Sequence, residues 1–485
     1  MAEVRDAWEM VIGIETHVEL DTRTKAFCAC ENIYGAPPNT HVCPLCMGLP
    51  GALPVLNGEM VRLAVKAGLA LGCTIHRESR FDRKNYFYPD LPKAYQITQF
   101  YHPLCENGQV EIQTPNGQKA IGITRIHMEE DAGKLSHGEN ASLLDMNRCG
   151  VPLIEIVSEP DISSPEEASA YLRKLRAILM FAGISPCRMN QGNFRADVNL
   201  SVHKPGNPFG VRTEMKNLNS FQSVERAIKA EFERQTALLE AGGEVVQETR
   251  RFDQKTGQTF SMRKKEDSAD YRYFPEPDIP WLVLSGKEVE DSRRSLPVLP
   301  DQLRRRFTET CGLTDYAAGL MVEEKWLADY FTAAASCTHE PAALANLLLG
   351  ECFALMNQQG LDQLPVSPGH LASLSNLMTS GRINSSTGKK ILAALFEEDQ
   401  DPVSYAEKHD LFLLTDEAAL SALVEKTLLQ CPDLVESYLG GKLTVEKALM
   451  GRAMGLSRGK AEPEALRRLM IDQLEKRKQQ KNSPM

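Results

Sequence analysis

Residues 11–20 read Val11-Ile12-Gly13-Ile14-Glu15-Thr16-His17-Val18-Glu19-Leu20, and apolar and polar side chains alternate along them. Successive side chains of a β-strand point to opposite faces of a sheet. The alternation therefore predicts a strand whose apolar face is buried and whose other face carries Glu15, His17 and Glu19. This pattern is typical of an antiparallel sheet that covers a core with one side.

Two later segments repeat the alternation and predict further strands of the same kind. The polar positions are Arg195, Asp197, Asn199 and Ser201 in the first segment, and Arg212, Glu214 and Lys216 in the second. For a single strand, a solvated sheet face is the ordinary alternative. Acids, an imidazole and cations together favour a face that holds metal ions and phosphate.

The segment 125–134 adds three consecutive carboxylates, Glu129, Glu130 and Asp131, before a glycine. Hard oxygen ligands at this density suit Mg²⁺ that accompanies a nucleotide. A solvated turn is the alternative for the segment taken alone.

The chain changes character near Pro300, where short alternating runs give way to helical periodicity. Before this point, Ser164-Pro165-Glu166-Glu167 predicts a capped helix start among the strands. Helices among mainly antiparallel strands indicate an α+β fold. Later helices are predicted at 316–335, 341–358, 387–396 and 464–478, with Thr415 as an N-cap.

The composition is that of a folded globular protein, with 42% hydrophobic and 25% charged residues among 485. No apolar run is long enough to span a bilayer and the first residues do not form a secretion signal, so we expect a soluble cytoplasmic protein. The formal charge of −10 argues against a protein that coats nucleic acid. Residues 451–485 nevertheless carry a charge of +5, which indicates either contact with a polyanion or a solvated helix end.

Four of the twelve cysteines form a C-x-C…C-x-x-C pattern, Cys28, Cys30, Cys43 and Cys46, with twelve residues between the pairs. Four thiolates on two tight turns can bind one Zn²⁺ tetrahedrally and leave no open position for catalysis. The spacing predicts a structural zinc site, with reduced thiols as the alternative.

A segment rich in cations and aromatic residues, 83–95, has no amphipathic period and predicts a shaped loop at a site or interface, or one that crosses the core. The usual phosphate-binding loops, G-x-x-x-x-G-K-[ST] and G-x-G-x-x-G, are absent from the sequence. If ATP binds, we expect it on a sheet face through metal ions and basic residues.

Six motifs in fixed order resemble one family, the B subunits of the tRNA-dependent aspartyl/glutamyl amidotransferases (GatCAB). The likeness covers nearly the whole chain and is carried by residues 11–20, 81–90, 127–134, 152–161, 216–221 and 270–278.

The resemblance implies a cradle domain similar to glutamine synthetase over 1–296, a helical domain over 297–411 and a tail domain similar to the YqeY family over 412–485. It implies ATP-dependent phosphorylation of the side-chain carboxylate of glutamate or aspartate on misacylated tRNA(Gln) or tRNA(Asn), followed by amidation. The ammonia comes from a partner amidase (A) subunit, which forms a heterotrimer with this chain and a small C subunit. The implied cofactors are ATP and Mg²⁺, and the tetracysteine zinc occurs only in some members. No membrane or DNA partner is expected.

The resemblance also assigns roles to residues of the polar face. Magnesium and catalysis fall to Glu15, His17, Glu129 and Glu130, with Glu214 as a further catalytic acid, and nucleotide or substrate binding falls to Arg195, Asp197, Arg212 and Lys216. Lys84 and Lys93 are placed near the route of ammonia. The basic tail is expected to hold tRNA.

Two other functions are compatible with the residues alone. One is a tRNA-binding scaffold without chemistry, and the other is a free-standing ligase for a small amino acid, against which the basic tail argues. Which misacylated tRNA is the substrate does not follow from the sequence.

Overall fold

The computed structural model describes residues 7–115, 117–138, 140–264, 271–414, 416–457 and 459–482. They form two compact units, one of residues 1–303 with 322–325 and one of residues 304–321 with 326–485. The division into three domains at 296 and 411 stays a prediction.

The first unit is built mainly of strands. They are β1 Glu9–Glu19, β2 Thr74–Ile75, β3 Glu78–Ser79, β4 Asp82–Asn85, β5 Tyr95–Thr98, β6 Cys105–Thr114, β7 Gly117–Glu130, β8 Lys134–His137, β9 Ser142–Asp145, β10 Pro152–Ser158, β11 Phe194–His203, β12 Thr213–Leu218, β13 Glu248–Asp253, β14 Gln258–Lys264, β15 Phe274–Pro275 and β16 Leu282–Val283.

Nine of these strands form one sheet in the order β14-β13-β12-β11-β1-β10-β7-β6-β2. Its neighbours pair antiparallel except β12 and β13, which run parallel. Strand β1 lies at the centre, so the residues of its polar face have neighbours on both sides. The remaining strands form small sheets, β15-β4-β5, β16-β3 and β8-β9.

Helices cover the apolar face of the large sheet. They are α1 Gly58–Ala70, α2 Pro165–Phe181 and α3 Phe221–Glu240, with α4 Gly286–Arg294 beside α1. The core that they enclose contains Ile12 and Ile14 of β1, which are at most 1% exposed, together with apolar residues of the neighbouring strands. Burial on this side forces the alternate residues of the sheet onto the opposite, polar face.

The start of α2 agrees with the sequence prediction. Ser164 accepts a hydrogen bond from the backbone N–H of Glu167, and Pro165 occupies the first turn. The carboxylate of Glu167 accepts from the N–H of Ser163 instead of that of Ser164, so the reciprocal half of the capping box is displaced by one residue.

The second unit is helical. After α5 Pro300–Glu309, which joins the two units, its helices are α6 Asp315–Met321, α7 Lys325–Ala335, α8 Pro341–Leu347, α9 Phe353–Gln359, α10 Pro368–Thr379, α11 Ser385–Glu397, α12 Pro402–Lys408, α13 Glu417–Gln430, α14 Pro432–Leu439, α15 Glu446–Leu456 and α16 Pro463–Asn482. The last four pack on a core of their own, which includes Leu420, Leu449 and Leu466.

The single helix predicted at 316–335 is wrong, because the chain breaks between α6 and α7. In the break, Glu324 accepts a hydrogen bond of 2.6 Å from Arg176 of α2. The helix predicted at 341–358 contains a π-helical turn over Leu348–Cys352. Thr415 lies outside the described residues, and Asp416 caps α13 by accepting from the N–H of Ala419.

The prediction of an α+β fold with a mainly antiparallel sheet followed by helices is confirmed. Among the described helices, none combines the length and the apolar character that a membrane span requires.

Candidate functional site

On the polar face of the sheet, β1 lies between β10 and β11, and side chains of the three strands stand side by side. His17 pairs with Glu155 of β10 on one side and with Arg195 of β11 on the other. Glu15 pairs with Asp197. Since residues paired across a sheet project to the same side, these side chains form rows across the polar face.

The first row contributes His17 and Glu155 to a cluster with Glu129 of β7, and the ligand atoms of these three residues all lie within 4.8 Å of one another. The Nε2 atom of His17 is 3.4 Å from Glu129 Oε1 and 3.4 Å from Glu155 Oε2. Burial opposes a charged His17, but the hydrogen bond and charge of Glu155 and the charge of Glu129 raise its pKa to about 9. Glu129 and Glu155 thus stabilise a positive charge at the position of His17.

Glu155 is shared between two imidazoles, because His127 Nε2 also lies 3.4 Å from its Oε2 atom. Burial favours the neutral acid, but the charge and hydrogen bond of His127 and those of His17 hold the pKa of Glu155 well below its ordinary value. Glu155 is therefore a carboxylate, the form in which it could bind a metal ion.

The second row contributes Glu15 and Asp197 to a cluster with Glu214 of β12, and the ligand atoms of these three residues also lie within 4.8 Å of one another. Burial and the charges of Glu155, Glu214 and Asp197 raise the pKa of Glu15, although Lys216 opposes them. The Nζ atom of Lys216 is 2.6 Å from Asp197 Oδ2 and 3.0 Å from Glu214 Oε1. Three acids share one ammonium here, so a second cation would relieve the remaining repulsion.

Both clusters fit a divalent cation such as Mg²⁺ by the chemistry of their donors. The first offers two carboxylates and an imidazole, and the second offers three carboxylates. Oxygen donors on one polar face leave room for water and phosphate to complete the coordination. The polar face could therefore hold two cations, one at each cluster.

Neighbouring side chains fix the second cluster in place. Asn199 Nδ2 donates to Glu15 Oε1 at 3.1 Å, and the buried hydroxyl of Thr249 donates to Glu214 Oε2 at 2.8 Å. Such partners orient metal-binding carboxylates before an ion arrives.

Glu130 is in neither cluster. Its carboxylate accepts a hydrogen bond from the ammonium of Lys93 and another, 3.0 Å long, from the N–H of Ile97. Glu130 is 2% exposed, and the charge of this buried carboxylate raises the pKa of Lys93 although burial opposes the shift. The structure thus separates Glu130 from Glu129, its neighbour in the sequence and in the predicted ligand set.

Lys84, the other lysine assigned to the ammonia route, lies near the first cluster. Its Nζ atom is 5.0 Å from the centre of the Tyr271 ring. Burial opposes its charge, but Glu129, with Tyr273 and Glu155, raises its pKa above the ordinary value. Lys84 is therefore a cation in contact with an aromatic wall.

The two arginines assigned to phosphate binding have different surroundings. Arg195 Nη1 lies 2.8 Å from Asp131 Oδ2, and its charge with that of Arg148 lowers the pKa of the buried Asp131 although burial opposes this. Arg212 is exposed, lies directly before β12 and lines a pocket of about 280 Å³ together with Glu15.

Glu155 is the member of the clusters that was absent from the predicted site residues. It stands in the otherwise apolar segment Pro152–Val157. A carboxylate inside a buried strand is rare without a partner, and this was the available signal.

The four predicted zinc ligands meet at one point. Cys46 Sγ lies 3.4 Å from Cys28 Sγ, 3.7 Å from Cys43 Sγ and 3.8 Å from Cys30 Sγ. A tetrahedral zinc with Zn–S bonds of about 2.3 Å places its sulfurs about 3.8 Å apart. No disulfide links them, since all twelve cysteines are free.

A buried ammonium group, that of Lys25, contacts this cysteine cluster. Lys25 is fully buried, and its Nζ atom donates to the carbonyls of His41 at 2.8 Å and Met146 at 3.3 Å. It also lies 3.5 Å from Cys46 Sγ. A hydrogen bond from Cys28 and the charge of Lys25 lower the pKa of Cys46, which favours the thiolate that binds metal.

Most of the basic residues of the tail lie on α16. Arg467 and Arg468 make ion pairs with Glu446 and Glu417, at 2.6 and 3.6 Å. In the part of the chain that the structure describes, the residues Lys476, Arg477 and Lys478 make no ion pair. The free charge of the tail is therefore concentrated near the end of the helix.

Comparison with known proteins identifies the family of the chain. Residues 10–290 match the family described as GatB/GatE catalytic domain, and residues 329–474 match the GatB domain family. The chain is 47% identical to a protein of Caldicellulosiruptor saccharolyticus over 477 residues, which is 97% of this chain and 99% of the relative. It is 48% identical to a protein of Agathobacter rectalis over 472 residues, 96% of this chain and 99% of that relative. Both relatives carry the name of the B subunit of an aspartyl/glutamyl-tRNA(Asn/Gln) amidotransferase.

Proposed function

Because the chain belongs to the family of aspartyl/glutamyl-tRNA(Asn/Gln) amidotransferase B subunits, we propose that its polar sheet face activates the side-chain carboxylate of a misacylated tRNA. ATP phosphorylates the glutamate of Glu-tRNA(Gln) or the aspartate of Asp-tRNA(Asn), and ammonia then displaces the phosphate. The observation that carries this proposal is the pair of adjacent acidic clusters, which lie on five neighbouring strands, β12-β11-β1-β10-β7.

The chemistry explains why such a face is needed. A carboxylate does not react with ammonia, because it is anionic and lacks a usable leaving group, whereas an acyl phosphate does react. ATP and the carboxylate are both anions, so they repel each other when they are brought together. Two Mg²⁺ ions, held by His17, Glu129 and Glu155 and by Glu15, Asp197 and Glu214, would neutralise this charge when bound.

The chain's own cations act around those ions. Arg212 is exposed beside Glu15 and is free to contact a phosphate bidentately. Arg195 and Lys216 are already paired with carboxylates, so we assign them the task of orienting Asp131 and the second cluster before the substrates bind.

Lys84 and Lys93 fit an ammonia route. Only neutral NH₃ is a nucleophile, and NH₄⁺ must lose its proton before it reaches the acyl phosphate. The raised pKa of Lys84 keeps it protonated near Glu129, so it repels ammonium without hindering ammonia. Lys93, paired with the buried Glu130, holds the loop that precedes β5 in place.

The complex that we propose is a heterotrimer with an amidase (A) subunit and a small C subunit. The sequence has no amidase Ser-Ser-Lys signature, so ammonia has to come from another polypeptide. The basic end of α16 contacts the tRNA, and the tetracysteine cluster binds a structural Zn²⁺. We place the reaction in the cytoplasm, where aminoacyl-tRNA and ATP are used for translation.

The test is reconstitution of the three subunits with ATP, Mg²⁺, glutamine and each misacylated tRNA. We expect ATP-dependent formation of Gln-tRNA(Gln), Asn-tRNA(Asn) or both, which the analysis of the released amino acid distinguishes. Failure to amidate either tRNA, in a complex that still hydrolyses glutamine, would refute the proposed function.

A further inference from the structure

The turn of residues 43–49, which carries two of the four clustered cysteines and which we call the cysteine turn, packs against the segment that carries Lys93. Three backbone hydrogen bonds of 2.9–3.0 Å close the turn. Within it, Gly48 has a φ of +65°, and a Cβ atom built there would lie 2.8 Å from the carbonyl carbon of Pro92 and 2.9 Å from the backbone nitrogen of Lys93. The two backbones therefore touch, and only glycine allows this approach.

The segment that receives this contact is strained. Ala94, directly after Lys93, has a φ of +62°, which residues other than glycine rarely adopt. Its N–H donates to the carbonyl of Leu91 at 2.9 Å, and its carbonyl accepts from the N–H of Tyr86 at 3.1 Å. A strained conformation persists only where the surroundings hold it, and such positions cluster at functional sites. The cysteine turn is one of the elements that hold this segment.

The first pair of cysteines adds a contact to the same lysine. Phe27, which precedes Cys28, is 1% exposed, and the centre of its ring lies 5.9 Å from Lys93 Nζ. The centre of the Tyr95 ring lies 5.3 Å from the same atom. Aromatic rings at such distances stabilise an ammonium group, here beside its carboxylate partner Glu130. Both halves of the tetracysteine site therefore contact the Lys93 segment.

The partner of Lys93 also lies close to the cysteine cluster. A Cβ atom built on Gly150 would lie 3.9 Å from Glu130 Oε2 and 3.7 Å from Lys25 Cδ. Lys25 is the buried residue whose ammonium contacts Cys46. The ion pair of Lys93 and the cysteine cluster therefore have Gly150 and Lys25 between them as common neighbours.

The Lys93 segment leads into β5, and β5 holds the other lysine of the proposed ammonia route. Gln96 of β5 pairs with Lys84 of β4. The side chain of Gln96 also donates to the backbone carbonyl of Glu130 at 2.7 Å. Because backbone hydrogen bonds join the two strands, a shift of the Lys93 segment would displace Lys84 too.

We propose that the cysteine turn positions the two lysines of the ammonia route. Gly48 and Phe27 act as positioning residues, because they hold Lys93 directly and Lys84 through β5. This inference rests on the proposed function and adds a task for the tetracysteine site, since a zinc ion bound by the four thiols would hold the turn closed. With the turn displaced, the route would admit water, and ammonia that gains a proton there is lost as a nucleophile. Phosphorylation of the carboxylate does not need this route.

The test compares Gly48→Ala with Gly51→Ala in the assembled heterotrimer. Gly51 also has a positive φ, +84°, but a Cβ atom built on it meets nothing within 4 Å. Both variants therefore place alanine in a left-handed backbone, and only the first presses on Pro92 and Lys93. We expect the amount of glutamine hydrolysed per amidated tRNA to rise several-fold in Gly48→Ala and to stay at the wild-type ratio in Gly51→Ala. ATP hydrolysis stimulated by misacylated tRNA should persist in both variants.

Hydrogen exchange gives a readout that is independent of amidation. The backbone amides of residues 91–97 should exchange faster in Gly48→Ala than in the wild type, and at the wild-type rate in Gly51→Ala. Cys43→Ser, which removes one of the four thiols, should have the same effect on residues 91–97 as Gly48→Ala. In a Lys93→Met background, Gly48→Ala should add little to the loss of ammonia, because both changes then act on the same element.

The outcomes separate this inference from the proposed function. A wild-type ratio in Gly48→Ala, or an equal rise in Gly51→Ala, would overturn the inference, because the contact with Lys93 would then have no effect of its own. A wild-type complex that hydrolyses glutamine but amidates no tRNA would overturn the proposed function. Hydrogen exchange would then still test the positioning of Lys93: unchanged exchange of residues 91–97 in Gly48→Ala would overturn it, and faster exchange in that variant but not in Gly51→Ala would support it.

Discussion

Replacing Glu130 by glutamine distinguishes a buried ion-pair partner from a metal ligand. The structure pairs Glu130 with Lys93, and both side chains are at most 10% exposed. Glutamine can still accept the N–H of Ile97, but it leaves the ammonium of Lys93 buried without a counter-charge. Breaking a buried ion pair by removing one partner costs about 3–5 kcal/mol.

The size of the first unit sets how far this loss of stability lowers the melting temperature. A loss of 3–5 kcal/mol corresponds to a fall in melting temperature of roughly 6–10 °C, at about 2 °C per kcal/mol for a large domain. The double variant Glu130→Gln/Lys93→Met removes both charges, and we expect it to regain most of the lost stability. Calorimetry of the four proteins of this cycle at one scan rate gives the coupling directly.

The competing explanation makes the opposite prediction. If Glu130 binds magnesium, Glu130→Gln should leave the melting temperature of the magnesium-free protein unchanged and should raise the Mg²⁺ concentration needed for half-maximal activity. Lys93→Met should then fail to restore stability. That combination would refute the role given to Glu130 here.

Three further predictions concern other parts of the molecule. Glu155→Gln should slow transamidation about a thousandfold, because it removes a carboxylate of the first cluster. Glutamine hydrolysis by the partner should stay measurable. A near-wild-type rate of transamidation would contradict the assignment of Glu155 to the metal site. We expect elemental analysis to find about one zinc per chain in the wild type and none in Cys43→Ser, which should also melt at a lower temperature. The control Cys337→Ser, at an exposed cysteine, should keep both the zinc and the melting temperature. Deletion of 412–485 should weaken tRNA binding and make it less dependent on salt, because each lost phosphate contact lowers the slope of log affinity against log salt concentration by about one. Activity at saturating tRNA should largely survive. Unchanged affinity at two salt concentrations would show that the basic helix is only a solvated end.

The alternation of residues predicted the polar rows of β1 and β11 because the period of a strand is independent of its partners. The same rule, applied to β7, separates Glu129 from Glu130, since consecutive residues of a strand point to opposite faces. Glu130 was grouped with Glu129 because of the density of carboxylates in the sequence and because of the resemblance, and its role as a ligand stays a prediction that Glu130→Gln tests.

Other features depend on contacts that no local pattern contains. The apolar residues around Glu155 mark it as an unusual carboxylate, but its role comes from pairing with His17 and His127 on other strands. The parallel pairing of β12 with β13, which places Thr249 beside Glu214, also arises only from the tertiary fold. The cysteine spacing was informative because two short turns bring the four thiols together locally.

The buried ammonium of Lys25 lies against the cysteine cluster, and this contact predicts how residue 25 varies among relatives. Four thiolates around Zn²⁺ would carry a net charge of about −2, and the ammonium of Lys25, 3.5 Å from Cys46 Sγ, would neutralise part of that charge. Without the metal and its thiolates, a cation at this fully buried position would lack its main counter-charge. We therefore expect residue 25 and the four cysteines to have been gained or lost together, so that family members without the cysteines carry a neutral side chain at the position of Lys25.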